Sequence, residues 1–382
     1  MTPAQTITLN QIGHDPSRRG APSTPNRGIE EIRGKVLFAA GEDAYAVAAH
    51  LRGSGTGIVL TGSEAAGQLR RLRATYPKMP LIADPKVYQD YTATLERPFA
   101  MPDADDQLSG LPAASLAEIA QAQLDQGATL AVLPMGYLAP GDAGPLRSAV
   151  AEANELSLRD VMLVVPADWS WLRGSHLKQF IAIVRQSTHP VAVALNNKGN
   201  ALDDAACLHG YRSLFEQVPN AIAWRTDHNG LGAVAHGAAA AVIGFRASLR
   251  HISVEGDFSR SPENKHPQVF VPDLMMWGKS DFLRATYFTT VPAAGCTCGG
   301  CKGAAPDRFR DTPADILAGN LHNVDAFLAD SRAMLTDPAG AREWWRQRIL
   351  TAVQAMERFK LEAQRPRLKP RADIENWFNE LV

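Results

Sequence analysis

The chain has 382 residues, of which 45% are hydrophobic and 21% are charged, the usual composition of a globular protein. Its formal net charge is -1, which excludes the uniformly basic class of nucleic-acid-binding protein but leaves room for a local basic patch. No apolar run approaches the roughly 18 residues that span a bilayer, and residues 1–33 lack the apolar segment of a secretory signal. We therefore expect a cytoplasmic protein whose residues 1–33 form a flexible leader.

Nine short apolar runs alternate with helical patterns from Lys35 onward. Each run is rich in Val, Ile and Leu and lacks period-two alternation, the pattern of strands buried on both faces of a parallel sheet. Ala- and Leu-rich segments such as 113–126 and 144–157 are long enough for crossover helices. The runs cover residues 35–40, 57–62, 80–85, 129–135, 161–168, 191–197, 221–227, 240–245 and 269–274.

The number and order of these runs favour an α/β fold, a (β/α)8 barrel over residues 34–290. Eight strands close such a barrel, so one of the nine runs is an extra element, which we place near the N-terminus. An open doubly wound sheet is the alternative, but no Gly-x-Gly-x-x-Gly motif follows an early strand. Barrel active sites lie at the carboxyl ends of the strands. The polar residues at the ends of the predicted strands are Asp84, Asp168, Asn196, Asn197, Asp227 and Asp273.

Three of the four cysteines lie within six residues, in the sequence Gly-Cys-Thr-Cys-Gly-Gly-Cys. Cys296, Cys298 and Cys301 have Cys-x-Cys-x-x-Cys spacing, and the two glycines let the backbone curl so that the sulfurs face one point. A structural zinc ion needs four ligands, and His322 is the natural fourth. The sequence therefore predicts a structural zinc subdomain over residues 291–335, in a reducing compartment.

The same cluster resembles the zinc subdomain of the tRNA-guanine transglycosylases. The matching residues are Cys296, Cys298, Cys301 and a His-Asn pair farther along, His322 and Asn323. That family folds as a (β/α)8 barrel with the zinc unit near its C-terminal end. Its members exchange a guanine in nucleic acid for a 7-deazaguanine base. The resemblance thus implies two partners, a nucleic acid (tRNA or DNA) and a 7-deazaguanine, as well as a zinc cofactor.

The resemblance also implies two catalytic aspartates. In the family, one aspartate attacks the sugar C1′ to form a covalent intermediate, and a second moves the protons of the exchanging bases. Asp84, Tyr88 and Gln89 match the family's acid/base motif as the acid/base, a platform for the base and a hydrogen-bonding partner. Here Pro-Lys-Val stands in place of the motif's Ser-Gly-Gly. Asp273, at the end of the ninth run, holds the place of the nucleophile, with a structural role as its alternative.

Three further residues are the candidates for recognition of the base. The resemblance places Asp168 at the Watson–Crick edge of a purine and Asn196 where the family has a glutamine. Asp227 precedes a Gly-Leu turn that matches the family loosely. For each of the three, an ordinary loop position is the alternative.

A helix is predicted over residues 313–335, followed by a basic helical tail over residues 336–382. Between Pro338 and Arg371 the tail carries seven Arg and two Lys against three Glu. Such a stripe suits contact with phosphates, and an amphipathic helix packed on the barrel is the alternative. The candidate nucleic-acid contacts are Arg342, Arg346, Lys369 and Arg371.

Three functions compete at this point. The preferred one is a transglycosylase that inserts a 7-deazaguanine into tRNA or DNA. The altered motif at Asp84 motivates the second, a catalytically silent accessory subunit or nucleic-acid-binding module that keeps the zinc fold. The third is a barrel enzyme of unrelated chemistry, because one fold hosts many reactions. A homodimer or a partner subunit is compatible with any of them.

Overall fold

The computed structural model describes residues 27–101, 114–197, 199–254 and 265–381. The strands are β1 Lys35–Ala40, β2 Gly57–Thr61, β3 Leu81–Asp84, β4 Ala131–Leu133, β5 Val161–Asp168, β6 Val191–Asn196, β7 Ile222–Thr226, β8 Ala240–Gly244, β9 Gln268–Val271 and β10 Met276–Lys279. The helices are α1 Arg27–Ile32, α2 Ala44–His50, α3 Ala65–Thr75, α4 Leu116–Asp125, α5 Gly144–Asn154, α6 Gly174–Val184, α7 Ala205–Gln217, α8 Asn229–Ala235, α9 Ala247–Arg250, α10 Ser280–Phe282, α11 Pro313–Leu335, α12 Ala341–Glu362 and α13 Ala372–Leu381.

The strands β1 to β8 form one parallel sheet that closes into a barrel. Their order is β3-β2-β1-β8-β7-β6-β5-β4, with every neighbouring pair parallel. The two ends of this order meet, because Ile82 bridges Leu130 and the Thr129 N–H donates to the Leu81 carbonyl at 2.7 Å. The predicted (β/α)8 barrel is therefore confirmed, and the open doubly wound sheet is excluded.

The apolar runs become barrel strands because helices cover one face of the sheet and side chains fill the other. Every residue of β2, β3, β6, β7 and β8 is buried. Complete burial of one Val, Leu or Ile side chain contributes about 1.5–3 kcal/mol, so the alternation of apolar runs and helices is the main determinant of this fold.

The ninth apolar run lies outside the barrel. β9 pairs with β10 as an antiparallel hairpin, with Val271 opposite Met276. The chain reverses there because Pro272 begins a short 3-10 turn and Met275 adopts a left-handed backbone conformation with φ of 45°. The prediction that the extra run lies near the N-terminus is wrong: the first eight runs build the barrel, and the extra run is the last.

The two ends of the described chain are helical. The predicted leader is wrong for residues 27–32, which form α1 with Ile29 and Ile32 buried, while residues 1–26 lie outside the described residues. α11 has the bounds predicted for it, and the predicted helical tail is present as α12 and α13. None of the described helices has both the length and the apolar character needed to cross a membrane.

Candidate metal centre and barrel-mouth cavity

The four predicted metal ligands converge on one point. The sulfurs of Cys296, Cys298 and Cys301 lie 3.5, 3.5 and 3.3 Å from Nδ1 of His322. All four ligand atoms lie within 4.8 Å of one another. A tetrahedral zinc site with ordinary metal–ligand distances separates S from N by roughly 3.5 Å. The cluster therefore has the donor set and the dimensions to hold a metal ion.

Hydrogen bonds with neighbouring groups orient His322 and lower the pKa of Cys301. Nε2 of His322 donates to the Phe270 carbonyl at 2.7 Å, which turns Nδ1 toward the three sulfurs. Nη1 of Arg308 donates to the Cys301 sulfur at 3.2 Å. Burial raises the pKa of the Cys301 thiol, but His322 and Arg308 outweigh it and lower that pKa to about 6. Cys301 is thus mainly a thiolate at neutral pH, the form that binds metal.

The residue after the histidine ligand ties the cluster to the barrel. Oδ1 of Asn323 accepts the Phe270 N–H at 2.8 Å, and its Nδ2 donates to the carbonyls of Phe245 and Gln268, both at 2.8 Å. Phe245 directly follows β8, whereas Gln268 and Phe270 belong to β9. Helix α11 therefore fixes the hairpin against the end of the last barrel strand, at the edge where barrel active sites form.

A cavity of about 820 Å³ lies at this end of the barrel. Its volume is within the range of small-molecule sites. The predicted site residues that line it are Gln89, Asn196, Asp227 and Arg371. Lys86, Arg250 and Trp277 also line it, and none of them was a predicted site residue.

Asp227 is the most constrained carboxylate of the cavity wall. It follows β7 and is 1% exposed. Its Oδ1 accepts the N–H and the Nδ2 of Asn229 at 3.1 and 2.7 Å, and its Oδ2 accepts from Nη2 of Arg371 at 3.1 Å. Burial raises the pKa of Asp227, but the charges of His228 and Arg371 outweigh it and hold that pKa well below its usual range. Asp227 is therefore ionised at neutral pH.

The C-terminal segment completes this network. Arg371 also binds Asp373, with its Nε at 3.1 Å and its Nη2 at 3.2 Å from the two carboxylate oxygens. Nε2 of His228 lies 3.2 Å from Asp373 Oδ2. Asp227, His228 and Asp373 lie close enough to share a metal ion. The Arg371 guanidinium already contacts both carboxylates, so the cluster is compensated without an ion.

Asp84 ends β3 as predicted but does not line the cavity. It is 1% exposed, and its carboxylate accepts from the Tyr88 hydroxyl at 3.0 Å and from Trp224 Nε1 at 3.2 Å. Tyr88 packs in the hydrophobic core, and burial raises its pKa well above the usual value, so it is a neutral donor. The expectation that Tyr88 forms a platform for the base is wrong, because its ring is buried in the core and does not line the cavity. Gln89, which lines the cavity, donates to Ser253 Oγ at 3.3 Å.

Lys86 connects Asp84 with the cavity. Its backbone N–H donates to Asp84 Oδ1 at 2.9 Å, while its side chain lines the cavity. Burial, followed by the charges of Arg225 and Arg246, lowers the pKa of Lys86 to about 8. The signal for this residue was present in the sequence, since Lys86 stands where the family motif has a glycine. It adopts the left-handed backbone conformation, with φ of 59°, that glycine adopts readily.

Asp168 and Asn196 stand at the ends of adjacent strands and share one partner. Asp168 Oδ2 accepts from the Tyr137 hydroxyl at 3.1 Å, and Asn196 Nδ2 approaches the same hydroxyl at 3.5 Å. Asp168 Oδ1 also accepts the Ser170 N–H, which caps a 3-10 turn. Asn196 lines the cavity, and its Oδ1 is buried without a hydrogen-bond partner among the described residues.

Asp273 is not at the end of a barrel strand. It lies exposed in the 3-10 turn after β9, in a hairpin that pairs with no barrel strand. The expected position is wrong because the barrel closes with β8, which ends at Gly244. The nucleophilic role predicted for Asp273 depended on that position and loses its structural basis.

The predicted nucleic-acid contacts divide into two groups. Arg342, with its side chain 61% exposed, lies 3.4 Å from Glu216, and Lys369 is exposed. Arg346 is partly exposed and pairs with Glu343 on the same helix. Arg371 faces inward and binds the carboxylates at the barrel mouth, so the expected surface stripe does not include it.

Several solved structures align with this chain at low sequence identity. No family model and no curated protein matches the chain. The dihydrodipicolinate synthase of Thermotoga maritima is 11% identical over 56% of this chain and 70% of that chain, with a TM-score of 0.34. The dihydrodipicolinate synthase of Acinetobacter baumannii, complexed with pyruvate, is 12% identical over 87% of this chain and 98% of that chain, with a TM-score of 0.33. Similarity at this level has no bearing on function.

Proposed function

We propose that this chain is a nucleobase transglycosylase that exchanges guanine in tRNA or DNA for a 7-deazaguanine at the barrel mouth. The observation that carries the proposal is the cavity of about 820 Å³, where an ionised carboxylate, a partly buried amine and the unsatisfied amide oxygen of Asn196 meet. The resemblance of the cysteine cluster to the transglycosylases supplies the reaction class.

The cavity offers the two groups that a double displacement needs. Asp227, rather than Asp273, is the carboxylate proposed to attack C1′ while the C1′–N9 bond breaks. The departing guanine takes a proton from the Lys86 ammonium. The incoming 7-deazaguanine returns a proton to Lys86 as its ring nitrogen attacks C1′, and Asp227 leaves as a carboxylate. A pKa of about 8 suits Lys86 to both transfers.

In this proposal Asp84 becomes a positioning residue. It accepts the backbone N–H of Lys86 and does not itself line the cavity. Burial and the bonds from Tyr88 and Trp224 hold its carboxylate in place. Asp84 therefore fixes the strand end from which the Lys86 amine reaches the base.

The metal cluster is proposed to hold one structural zinc ion. Three thiolates and one imidazole are the soft and borderline ligands that zinc prefers, and four protein ligands leave no open position for chemistry. Reduced thiols require a reducing compartment, so the cytoplasm is the proposed location.

An exchange assay tests the proposal. Radiolabelled guanine is incubated with the zinc-loaded protein and with unmodified tRNA or duplex DNA in parallel, and label in nucleic acid is counted. We expect incorporation into one of the two acceptors and its loss on addition of an excess of a 7-deazaguanine. Absence of label in both acceptors contradicts the proposed activity.

A catalytically silent relative is the second candidate. One observation favours it: neither Asp84 nor Asp273, the aspartates that the resemblance assigned to catalysis, lines the cavity. This alternative predicts nucleic-acid binding without exchange, together with a catalytic partner that co-purifies with the chain.

A further inference from the structure

Arg250 is a cation of the cavity wall that forms no direct ion pair among the described residues. Arg250, on α9 after β8, is 6% exposed, and its guanidinium lies 3.9 Å from the centre of the Trp277 ring. Its Nη2 donates to the neutral amide oxygen of Gln268. The nearby acids Asp227 and Asp373 are paired with Arg371, and among the described residues no carboxylate forms an ion pair with Arg250. The charges of Asp227 and Asp373 act on Arg250 only at longer range, so this buried guanidinium lacks the direct ion pair that buried charges normally form.

Hydrogen-bond donors near this cation are also unsatisfied. Nε of Arg250 and Nε1 of Trp277 are buried and have no acceptor among the described residues. Both residues line the cavity. Buried donors without an acceptor are rare in native structures, so this part of the wall is suited to a group that offers several oxygen acceptors and a negative charge.

A different part of the cavity wall lacks a hydrogen-bond donor. Oδ1 of Asn196, at the end of β6, is a buried acceptor with no donor among the described residues. The cavity thus has one region suited to bind an anion, at Arg250 and Trp277, and one acceptor, Asn196 Oδ1, suited to bind an N–H group such as that of a nucleobase. Burial lowers the pKa of Arg250 only to about 10, so Arg250 is charged at neutral pH and can bind an anion.

We propose that Arg250 and Trp277 form a phosphate subsite of the cavity, and that Asn196 accepts a hydrogen bond from the base of the same nucleotide. The inference rests on the proposed function and names the part of the substrate that this wall recognises. Its position agrees with a general property of these barrels, in which the loops after the seventh and eighth strands often bind phosphate. A guanidinium and an indole N–H supply charge-assisted hydrogen bonds that a neutral nucleoside cannot use.

Calorimetric titration of the zinc-loaded full chain tests the subsite. The probes are guanosine, guanosine 5′-monophosphate, the dinucleotide GpU and inorganic phosphate as a competitor. We expect the monophosphate to bind at least about tenfold more tightly than guanosine, because one charge-assisted hydrogen bond to the phosphate provides about that gain in affinity. Arg250→Gln should abolish this ratio and leave guanosine binding unchanged within about twofold, whereas Arg250→Lys should restore part of it.

A second variant keeps the test decisive if Arg250→Gln fails to fold. Trp277→Phe keeps an aromatic ring beside Arg250 and removes the indole donor, so it should lower the ratio by about threefold. Equal affinities of guanosine and its monophosphate for the wild-type protein, or failure of inorganic phosphate to compete, overturns the subsite. Tighter binding of GpU than of the monophosphate assigns the subsite to a nucleic-acid phosphodiester, and the reverse order assigns it to a free nucleotide.

The two proposals fail in different ways. Phosphate preference without base exchange leaves the subsite in place and contradicts the transglycosylase. Base exchange in a protein that binds guanosine and its monophosphate equally leaves the transglycosylase in place and contradicts the subsite.

Discussion

The metal cluster and the barrel-mouth cavity are built in opposite ways. The cluster takes three ligands from six consecutive residues, and its fourth, His322, lies on the next long helix. The cavity takes its wall from the turn after β3, the ends of β6 and β7, α9, the β9–β10 hairpin and Arg371 near the C-terminus. Local spacing therefore specifies the cluster, whereas the cavity exists only once the barrel has closed.

The two regions also differ in how their charges are balanced. In the cluster, the thiols, the imidazole and Arg308 complement one another around the place of one cation. In the cavity, Arg371 forms ion pairs with Asp227 and Asp373, while Arg250 forms no direct ion pair among the described residues and keeps a buried donor without an acceptor. Mutually complementary buried ligands stabilise a fold, while a cavity wall with unsatisfied hydrogen-bonding groups can bind a ligand, so we assign stability to the cluster and function to the cavity.

Removal of the metal should have the largest effect. Structural zinc contributes apparent free energies on the order of 10 kcal/mol, so chelation or Cys301→Ser should release the β9–β10 hairpin and α11. Hydrogen exchange measured by mass spectrometry should show lost protection there and retained protection in β1 to β8. Cys207→Ser, which changes a cysteine outside the cluster, is the control and should keep the metal content measured by elemental analysis. Unchanged protection after complete chelation would contradict the structural role.

Loss of the cavity carboxylate should have the next largest effect, measured as the rate of guanine exchange by the folded protein. Asp227→Asn removes the proposed nucleophile and should lower the rate of guanine exchange at least about 10³-fold. The matched control is Asp273→Asn, which should change the rate by less than about twofold because Asp273 lies outside the barrel. A large loss for Asp273→Asn with little loss for Asp227→Asn would reverse this assignment.

Arg371→Met should be costly for stability at the cavity. It leaves Asp227 and Asp373 buried without their cation, a change that typically costs about 3–5 kcal/mol. The pKa of Asp373 is lowered to about 2, so the stability it contributes is present at neutral pH and is lost as the pH falls toward that value. Urea denaturation should therefore show a smaller deficit for Arg371→Met at pH 3 than at pH 7. The exposed Arg342→Met is the control, with an expected change below about 0.5 kcal/mol.

The pH dependence of exchange should be the smallest effect. The pKa of Lys86 is lowered to about 8, so its acid form is present below that pH and is lost as the pH rises through it. Guanine exchange should fall by about tenfold per pH unit above this value. Lys86→Met should lower the rate and remove this decline. If the decline in exchange rate above pH 8 persists unchanged in Lys86→Met, a group other than Lys86 causes it.

The contrast between the two regions also explains what the sequence could predict. The strands and α11 were predictable because apolar runs and helical periodicity are local, and the cluster was predictable because Cys-x-Cys-x-x-Cys has few other uses. Asp273 was misplaced because a buried apolar run does not reveal whether it pairs inside a barrel or in a hairpin. Pro272 was the one local warning, since proline cannot donate to a sheet ladder.

The cavity residues were predicted less well, for a physical reason. Arg371 belongs to a basic stretch that resembles a solvated surface, and only the packing of α13 against α7 and α12 turns it inward to Asp227. Arg250 lies on α9 and Trp277 in β10, and the two side chains meet only after the β9–β10 hairpin packs beside α9. No periodicity or motif brings such residues together before tertiary structure exists.

Trapping of the covalent intermediate tests the central claim most directly. The zinc-loaded protein is incubated with a guanine-containing tRNA or DNA substrate, quenched in acid, digested by nuclease and protease, and mapped by mass spectrometry. We predict a sugar adduct on the peptide that contains Asp227 and none on the peptide that contains Asp273. An adduct on Asp273, or no adduct under conditions in which guanine exchange proceeds, would contradict the account.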